Sequence, residues 1–374
     1  MALCGLLSGL AVTARANSGF SSIYVFGDTL SATATNLATG SITNYYYGKR
    51  FTNGRTWVEV LAQRQGLGAN SLTNANWAYS SNNLSFYGHD SQHLVTNVAA
   101  FFAPANATNC LFVVWVNSAD FIFDLENISD ASNPNLAQWN TAISLHLTNH
   151  FNAITNLYAK GCRALVAPNV PDVMAVPQYN GASAAYRAFV RQRVISFNTN
   201  YAAMLKQLSA SYAGLKIYTP DAFGLFDNVL TNAAAYGLTN AIYNGLTIDV
   251  ISAFGAGMLP NANLNGPGTN YIFWRYSGDP TAKLHAVLAD IAQQLISPVQ
   301  FSGATPAGNS NRLEIVNLPL GLNGSVLAVA NLGSTQWTTN ATFSSLTTPQ
   351  SVYVPVSGPQ QFYKLKFPYQ WTWP

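Results

Sequence analysis

Short apolar runs alternate with longer stretches of helical spacing through most of the chain. Ser22–Phe26, Asn76–Tyr79, Leu111–Val116, Arg163–Ala167 and Leu215–Tyr218 read as strands. Thr56–Arg64, Gln92–Phe102, Leu136–Lys160, Ser183–Tyr212 and Pro280–Ile296 read as helices, the last with Pro280 in its first turn. The spacing is clearest in Leu136–Lys160, where Ile143, Leu147, Phe151, Ile154 and Leu157 fall on one side of a helix. Ser183–Tyr212 carries Val190, Val194, Phe197, Tyr201, Leu205 and Leu208 on one broad face. Leu111–Val116 is apolar without alternation, as a strand buried on both faces must be. Strand–helix alternation of this kind predicts an α/β fold: a parallel sheet with helices on both faces, and a ligand site beyond the carboxyl ends of its strands.

The pattern changes after Ser297. Gly303–Asn311 is rich in Gly, Pro and Ser and reads as a linker, placed over residues 299–311. Beyond it, Leu313–Val316, Ser325–Ala330, Trp337–Phe343, Ser351–Val356 and Phe362–Phe367 are strand-like runs separated by turn residues. The predicted organisation is an α/β unit over residues 17–298 and a small all-β, sandwich-like module over 312–374.

Composition narrows the partners. Hydrophobic residues make up 49% of the 374 positions, enough for a sizeable core, whereas charged residues make up only 8%, well under the ~25% usual in soluble domains. The polar surface therefore falls to Asn, Thr, Ser, Gln and Tyr, a composition suited to extracellular work, carbohydrate contact or self-association. A net charge of +3 without a basic run argues against nucleic acid as a partner. Leu3–Val12 followed by Ala14-Arg15-Ala16 reads as a secretory signal over residues 1–16, although no Lys or Arg precedes the apolar stretch. That stretch is too short to span a bilayer, and no transmembrane segment is expected elsewhere. Cys110 and Cys162 each precede an apolar run, so neighbouring strands would bring them together. A disulfide and two buried thiols both fit that placement.

One set of blocks carries chemistry. Phe26-Gly27-Asp28-Thr29-Leu30-Ser31 closes the first strand; Arg50-Phe51-Thr52-Asn53-Gly54-Arg55 precedes Trp57 and Glu59. Asn76-Trp77-Ala78, then Asn117-Ser118-Ala119-Asp120, then Phe273-Trp274 with Asp279-Pro280-Thr281 and His285 follow in order. In content and order these blocks resemble those of the GDSL/SGNH hydrolase family. The resemblance implies a flavodoxin-like three-layer α/β/α fold and acyl transfer from esters without a cofactor. A serine would attack, a histidine of the last block would take its proton, and a serine amide, a glycine amide and an asparagine side chain would hold the oxyanion.

Each of those positions departs from the family pattern. Thr29 stands at the nucleophile, Ser81 at the block-two glycine, Ala119 at the oxyanion asparagine and Asp279 at the base histidine. The resemblance gives Gly27, Asp28 and Asp120 supporting roles in the motif turns; Arg50, Asn53, Trp57 and Glu59 are retained as well and read as scaffold packing around the first helix. His285 lies six residues after Asp279, about 600° around a helix, so the two point differently and His285 reads as structural. His89 and His93 read as surface or helix-start residues. His146 and His150 share an i,i+4 spacing, but with no third ligand in view a metal is not expected. Tyr45, Tyr46, Tyr47, Trp371 and Trp373 read as core or interface residues, with sugar stacking as the alternative. Four coincident replacements favour an impaired or inactive relative kept for binding, surface contact or assembly. Ester hydrolysis through Thr29, with Asp279 or a relocated histidine as base, is the competing reading, and a carbohydrate- or envelope-binding protein acting through its β module is a third.

Overall fold

The computed structural model describes residues 19–32, 50–67, 90–128, 134–239, 242–243, 246–247, 269–274, 278–367 and 372–373. Its centre is a parallel sheet in the order β1 (Ser22–Gly27), β2 (Cys110–Trp115), β3 (Ala164–Val166), β4 (Lys216–Tyr218). Every residue of β2 is buried, as its unbroken apolar run requires. The strand period of two sorts side chains cleanly. Tyr24, Phe26, Phe112 and Val114 face one core; Ile23, Val25, Leu111, Val113 and Trp115 face the other.

Helices cover both faces. With α1 (Trp57–Arg64), α2 (Ser91–Ala100), α3 (Asn117–Asn127), α4 (Leu136–Ala159), α5 (Ala184–Ser211), α6 (Ala222–Thr231) and α7 (Ala282–Ile296), the architecture is a three-layer α/β/α fold. Helices α2, α4 and α5 pack Leu94, Val98, Trp139, Ile154, Val194 and Phe197 on the first face. Helices α1, α6 and α7 pack Trp57, Leu61, Phe226, Val287 and Leu288 on the second. Starts are set by polar caps: Asp90 accepts from the Gln92 and His93 amides, Asn135 from Gln138, Ser183 from Tyr186 and Asp221 from Gly224. Helix α7 begins after Thr281 rather than at Pro280, because Pro280 is held in a bridge to Phe273. Two helices, α3 and α6, have no counterpart in the sequence reading.

The block residues expected to be scaffold have scaffold partners. Arg50 Nε donates to Glu59 Oε2 at 2.6 Å, and Glu59 also accepts from the Thr56 amide at 2.9 Å. Asn53 Oδ1 accepts from the Ala282 amide at 2.8 Å, which ties the α1 segment to the start of α7. Trp57 Nε1 donates to Ser31 Oγ at 3.0 Å. A buried Arg64–Asp290 pair at 2.7 Å joins α1 to α7 further along.

Beyond a two-residue-per-strand hairpin, β5 (Ile242–Tyr243) with β6 (Leu246–Thr247), the remaining strands lie after α7. They are β7 (Gln300–Ala307), β8 (Ser310–Val316), β9 (Asn323–Val329), β10 (Thr338–Ser344), β11 (Gln350–Pro355), β12 (Phe362–Lys366) and β13 (Thr372–Trp373). They form two antiparallel sheets, β11-β8-β7 and β10-β9-β12-β13, around a core that includes Ile315, Val326, Val354 and Leu365. All five strand runs expected in this region are present.

One expectation is corrected and one open alternative is decided. Residues 299–311 are not a linker: most of the segment is β7 and its hairpin to β8. β7 is an edge strand with no buried residue, so no apolar alternation marks it, and an edge strand accommodates Pro306. Cys110 and Cys162 form no disulfide; both are buried free thiols. The register sets Leu111 against Ala164, which leaves the two cysteines one step out of level. Cys162 Sγ donates to the Ala164 carbonyl, and burial pushes its thiol pKa up to about 12.

Candidate active site

A cavity of about 410 Å³ opens at the carboxyl end of the sheet. Thr29, Ala119 and Asp279, three of the four positions expected from the sequence blocks to stand for reacting groups, all line it. Ser81, the fourth, lies outside the described residues, as do residues 1–16, Asn76–Tyr79, His89, Tyr45, Tyr46, Tyr47 and Trp371.

The first wall is the turn after β1. The Asp28 amide donates to the Trp115 carbonyl at 3.1 Å, carrying the β1–β2 pairing one residue past the strand. Asp28 then caps a 3₁₀ turn over Thr29–Ser31, accepting from the Leu30 amide at 3.0 Å. Gly27 is required there, because a Cβ would stand 2.6 Å from Ser31 Cβ. The turn leaves Thr29 half-buried at the cavity.

The second wall is α3, which presents Ser118, Ala119, Ile122, Phe123 and Glu126. Its start is anchored by Asn117 Nδ2, which donates to the Pro168 carbonyl at 3.0 Å. Asp120, one residue past Ala119, turns away from the cavity: its Oδ1 accepts from the Ser91 amide at 2.7 Å and lies 3.4 Å from His146 Nδ1. His146 Nε2 in turn meets Asp124 Oδ2 at 2.9 Å. Burial lowers the pKa of His146, but the Asp124 hydrogen bond and the Asp120 carboxylate outweigh it and leave the pKa raised.

The third wall is the loop after β3, with Asp172, Val176, Gln178 and Tyr179. Asp172 is shared with Arg191 at 2.6 Å, and Arg191 also holds Asp227. The segment from Gly278 closes the cavity. Gly278 has φ +104 and packs so closely on Val176 that a Cβ would lie 2.4 Å from its Cγ1. The Asp279 carbonyl accepts from the Trp274 amide at 2.7 Å, and the Asp279 side chain lines the cavity.

Burial, with the neighbouring Asp279 and Asp120 carboxylates adding to it, raises the Asp28 pKa to about 7 against two backbone hydrogen bonds, from Leu30 and Ala119. Asp120 is raised to about 7 by burial as well. No histidine among the described residues lines the cavity. His285 Nδ1 accepts from the Trp57 amide at 3.3 Å, deep in the second core, and burial lowers its pKa to about 3. His150 is buried against the His146 carbonyl, with its pKa lowered to about 4. His93 pairs with Asp90 beside the start of α2.

Ser118, Glu126, Asp172 and Tyr179 were not singled out from sequence. For the first two a signal existed: Ser118, Ile122 and Glu126 follow at four-residue steps, one helical face. Asp172 and Tyr179 lie in an aperiodic loop that only its place after a strand end marks as a site.

A parallel sheet with helices on both faces and a cleft at the strand ends fits the three-layer α/β/α fold of SGNH hydrolases. No family model matches the chain. It is 25% identical over 314 residues to a GDSL esterase/lipase of Arabidopsis thaliana, covering 71% of this chain and 80% of the relative. It is 24% identical over 282 residues to a second Arabidopsis thaliana GDSL esterase/lipase, covering 63% and 77%. Among solved structures, a lipase from a goat rumen metagenome is a loose likeness, with a TM-score of 0.42 at 9% identity, covering 73% of this chain and 96% of that one. In its ordered blocks and in these curated relatives the chain is similar to the GDSL/SGNH hydrolase family.

Proposed function

We propose that this protein is a secreted member of the family whose hydrolytic machinery has been dismantled and whose cleft serves binding at a surface or in an assembly. The observation that carries the reading is the make-up of the cavity wall. Thr29, Ala119 and Asp279 line it, and no histidine among the described residues does. An alanine cannot hold an oxyanion through its side chain, and loss of such a donor typically costs ~10²–10³ in rate. A general base contributes another ~10²–10⁴. The Ala119 amide is engaged by the Asp28 carboxyl, which supports the turn and lies next to the reacting position. Secretion is supported by the signal-like residues 1–16 and the low charge, and no helix among the described residues is long and apolar enough to cross a membrane.

The test is hydrolysis of short p-nitrophenyl esters by the purified protein and by Thr29→Ala. Both should stay at background, while the double variant Thr29→Ser, Asp279→His should gain activity on the retained scaffold. Robust turnover by the natural protein that disappears in Thr29→Ala would overturn the reading. It would favour the alternative, in which Thr29 is the nucleophile and Asp279, lining the same cavity, takes its proton.

A further inference from the structure

Carboxyl groups are the commonest polar groups of the cavity lining, beside the Gln178 amide and the Tyr179 hydroxyl. Asp28, Glu126, Asp172 and Asp279 present carboxyl groups, and no Lys, Arg or His stands among its described lining residues. Asp28 already accepts from the Leu30 and Ala119 amides and Asp172 from Arg191, so the exposed carboxylate that an entering head group meets is that of Glu126. Ser118 adds an independent observation. It lines the same cavity, is 5% exposed, and its Oγ has no hydrogen-bond partner among the described residues. A buried hydroxyl without a partner costs free energy, so this one marks a place where a ligand gains by donating. At the rim the chemistry changes: Ile122 is 38% and Phe123 52% exposed, on the same helix face as Glu126.

We propose that the cleft binds an amphiphilic primary amine, its ammonium among these acceptors and its apolar chain along Ile122 and Phe123. The proposal rests on reading the cleft as a binding site. An ammonium has three donors and no acceptor, which suits Glu126, Thr29 and Ser118 together. A carboxylate of the same length would bring a like charge to an acceptor-lined wall. This separates a ligand of this cleft from a free fatty acid, the product that an ester hydrolase releases.

The experiment titrates the full chain with hexylammonium, 1-hexanol and hexanoate at neutral pH by calorimetry. Hexylammonium should bind about tenfold or more tighter than hexanol, and hexanoate more weakly than hexanol. Glu126 is exposed, so Glu126→Gln keeps the fold; it should weaken hexylammonium several-fold and leave hexanol unchanged. Thr29→Trp should fill the cleft and abolish binding, with circular dichroism confirming that it folds. Equal binding of hexanoate and hexylammonium, no binding of any probe, or an unchanged hexylammonium affinity in Glu126→Gln would overturn the proposal. Ester hydrolysis measured on the same preparation keeps the two ideas apart. Turnover with a retained amine preference sinks the non-catalytic reading alone, whereas no turnover with no amine preference sinks the ligand class alone.

Discussion

Asp28 lets the cost of the motif be read in a titration. Its carboxyl is 3% exposed, and burial first, then Asp279 and Asp120, raises its pKa from 3.8 to about 7. The folded protein thus holds this proton to higher pH than the unfolded chain does. Its contribution to stability is fully present below pH 4 and is lost as pH rises through about 7. Between pH 5 and pH 8 that loss amounts to about 2–3 kcal/mol. In Asp28→Asn the amide oxygen can still accept from the Leu30 amide, so the turn is kept while the titration is removed. Urea unfolding followed by tryptophan fluorescence at pH 5, 6, 7 and 8 should show the natural protein losing about 2–3 kcal/mol more than the variant over this range. Asp120, raised to about 7 as well, titrates in both proteins, so the difference reports Asp28 together with its coupling to Asp120. Parallel stability curves for the two proteins would refute the argument.

Other expectations follow from the packing. Asp290→Ala leaves Arg64 charged and buried between α1 and α7 and should cost about 3–5 kcal/mol in urea unfolding. Gly27→Ala brings a methyl to 2.6 Å from Ser31 Cβ and should cost about 1–3 kcal/mol, seen as a lower melting temperature. Cys110 and Cys162 should resist iodoacetamide until the protein unfolds, and dithiothreitol should leave the melting temperature unchanged; a drop on reduction would reveal a disulfide.

The parts of the fold legible in sequence are those where burial imposes a period. The strands β1 to β4 and the long helices α4 and α5 carry runs or stripes that a core demands, and they lie where the apolar pattern puts them. Helix α6, with Leu225, Phe226 and Val229 buried, is short and preceded by a loop, so its few apolar positions blend into the surrounding sequence. The edge strand β7 is the opposite case: it is held by backbone pairing to β8, and neither of its faces is buried. In the cleft, Thr29, Ala119 and Asp279 line one cavity, but the carboxyl-bearing walls did not announce themselves. Glu126 and Asp172 are distant in sequence, and only the approach of α3 to the loop after β3 gives them a common cavity.

The same distinction explains which block residues kept the family's identity. Gly27, Asp28, Asn53, Trp57, Glu59, Asp120 and His285 each have a packing or hydrogen-bonding task within the scaffold. Removing one would orphan a buried partner or force a clash, at costs of about 1–5 kcal/mol against a total stability of only about 5–15 kcal/mol. Thr29, Ala119 and Asp279 face the cavity instead. A change there alters what the cleft can do without stripping a core contact. On the proposed reading the chain retains the family's pattern where folding requires it and departs from it where only chemistry would, so the block residues report on the architecture and the cavity wall must be read separately for function.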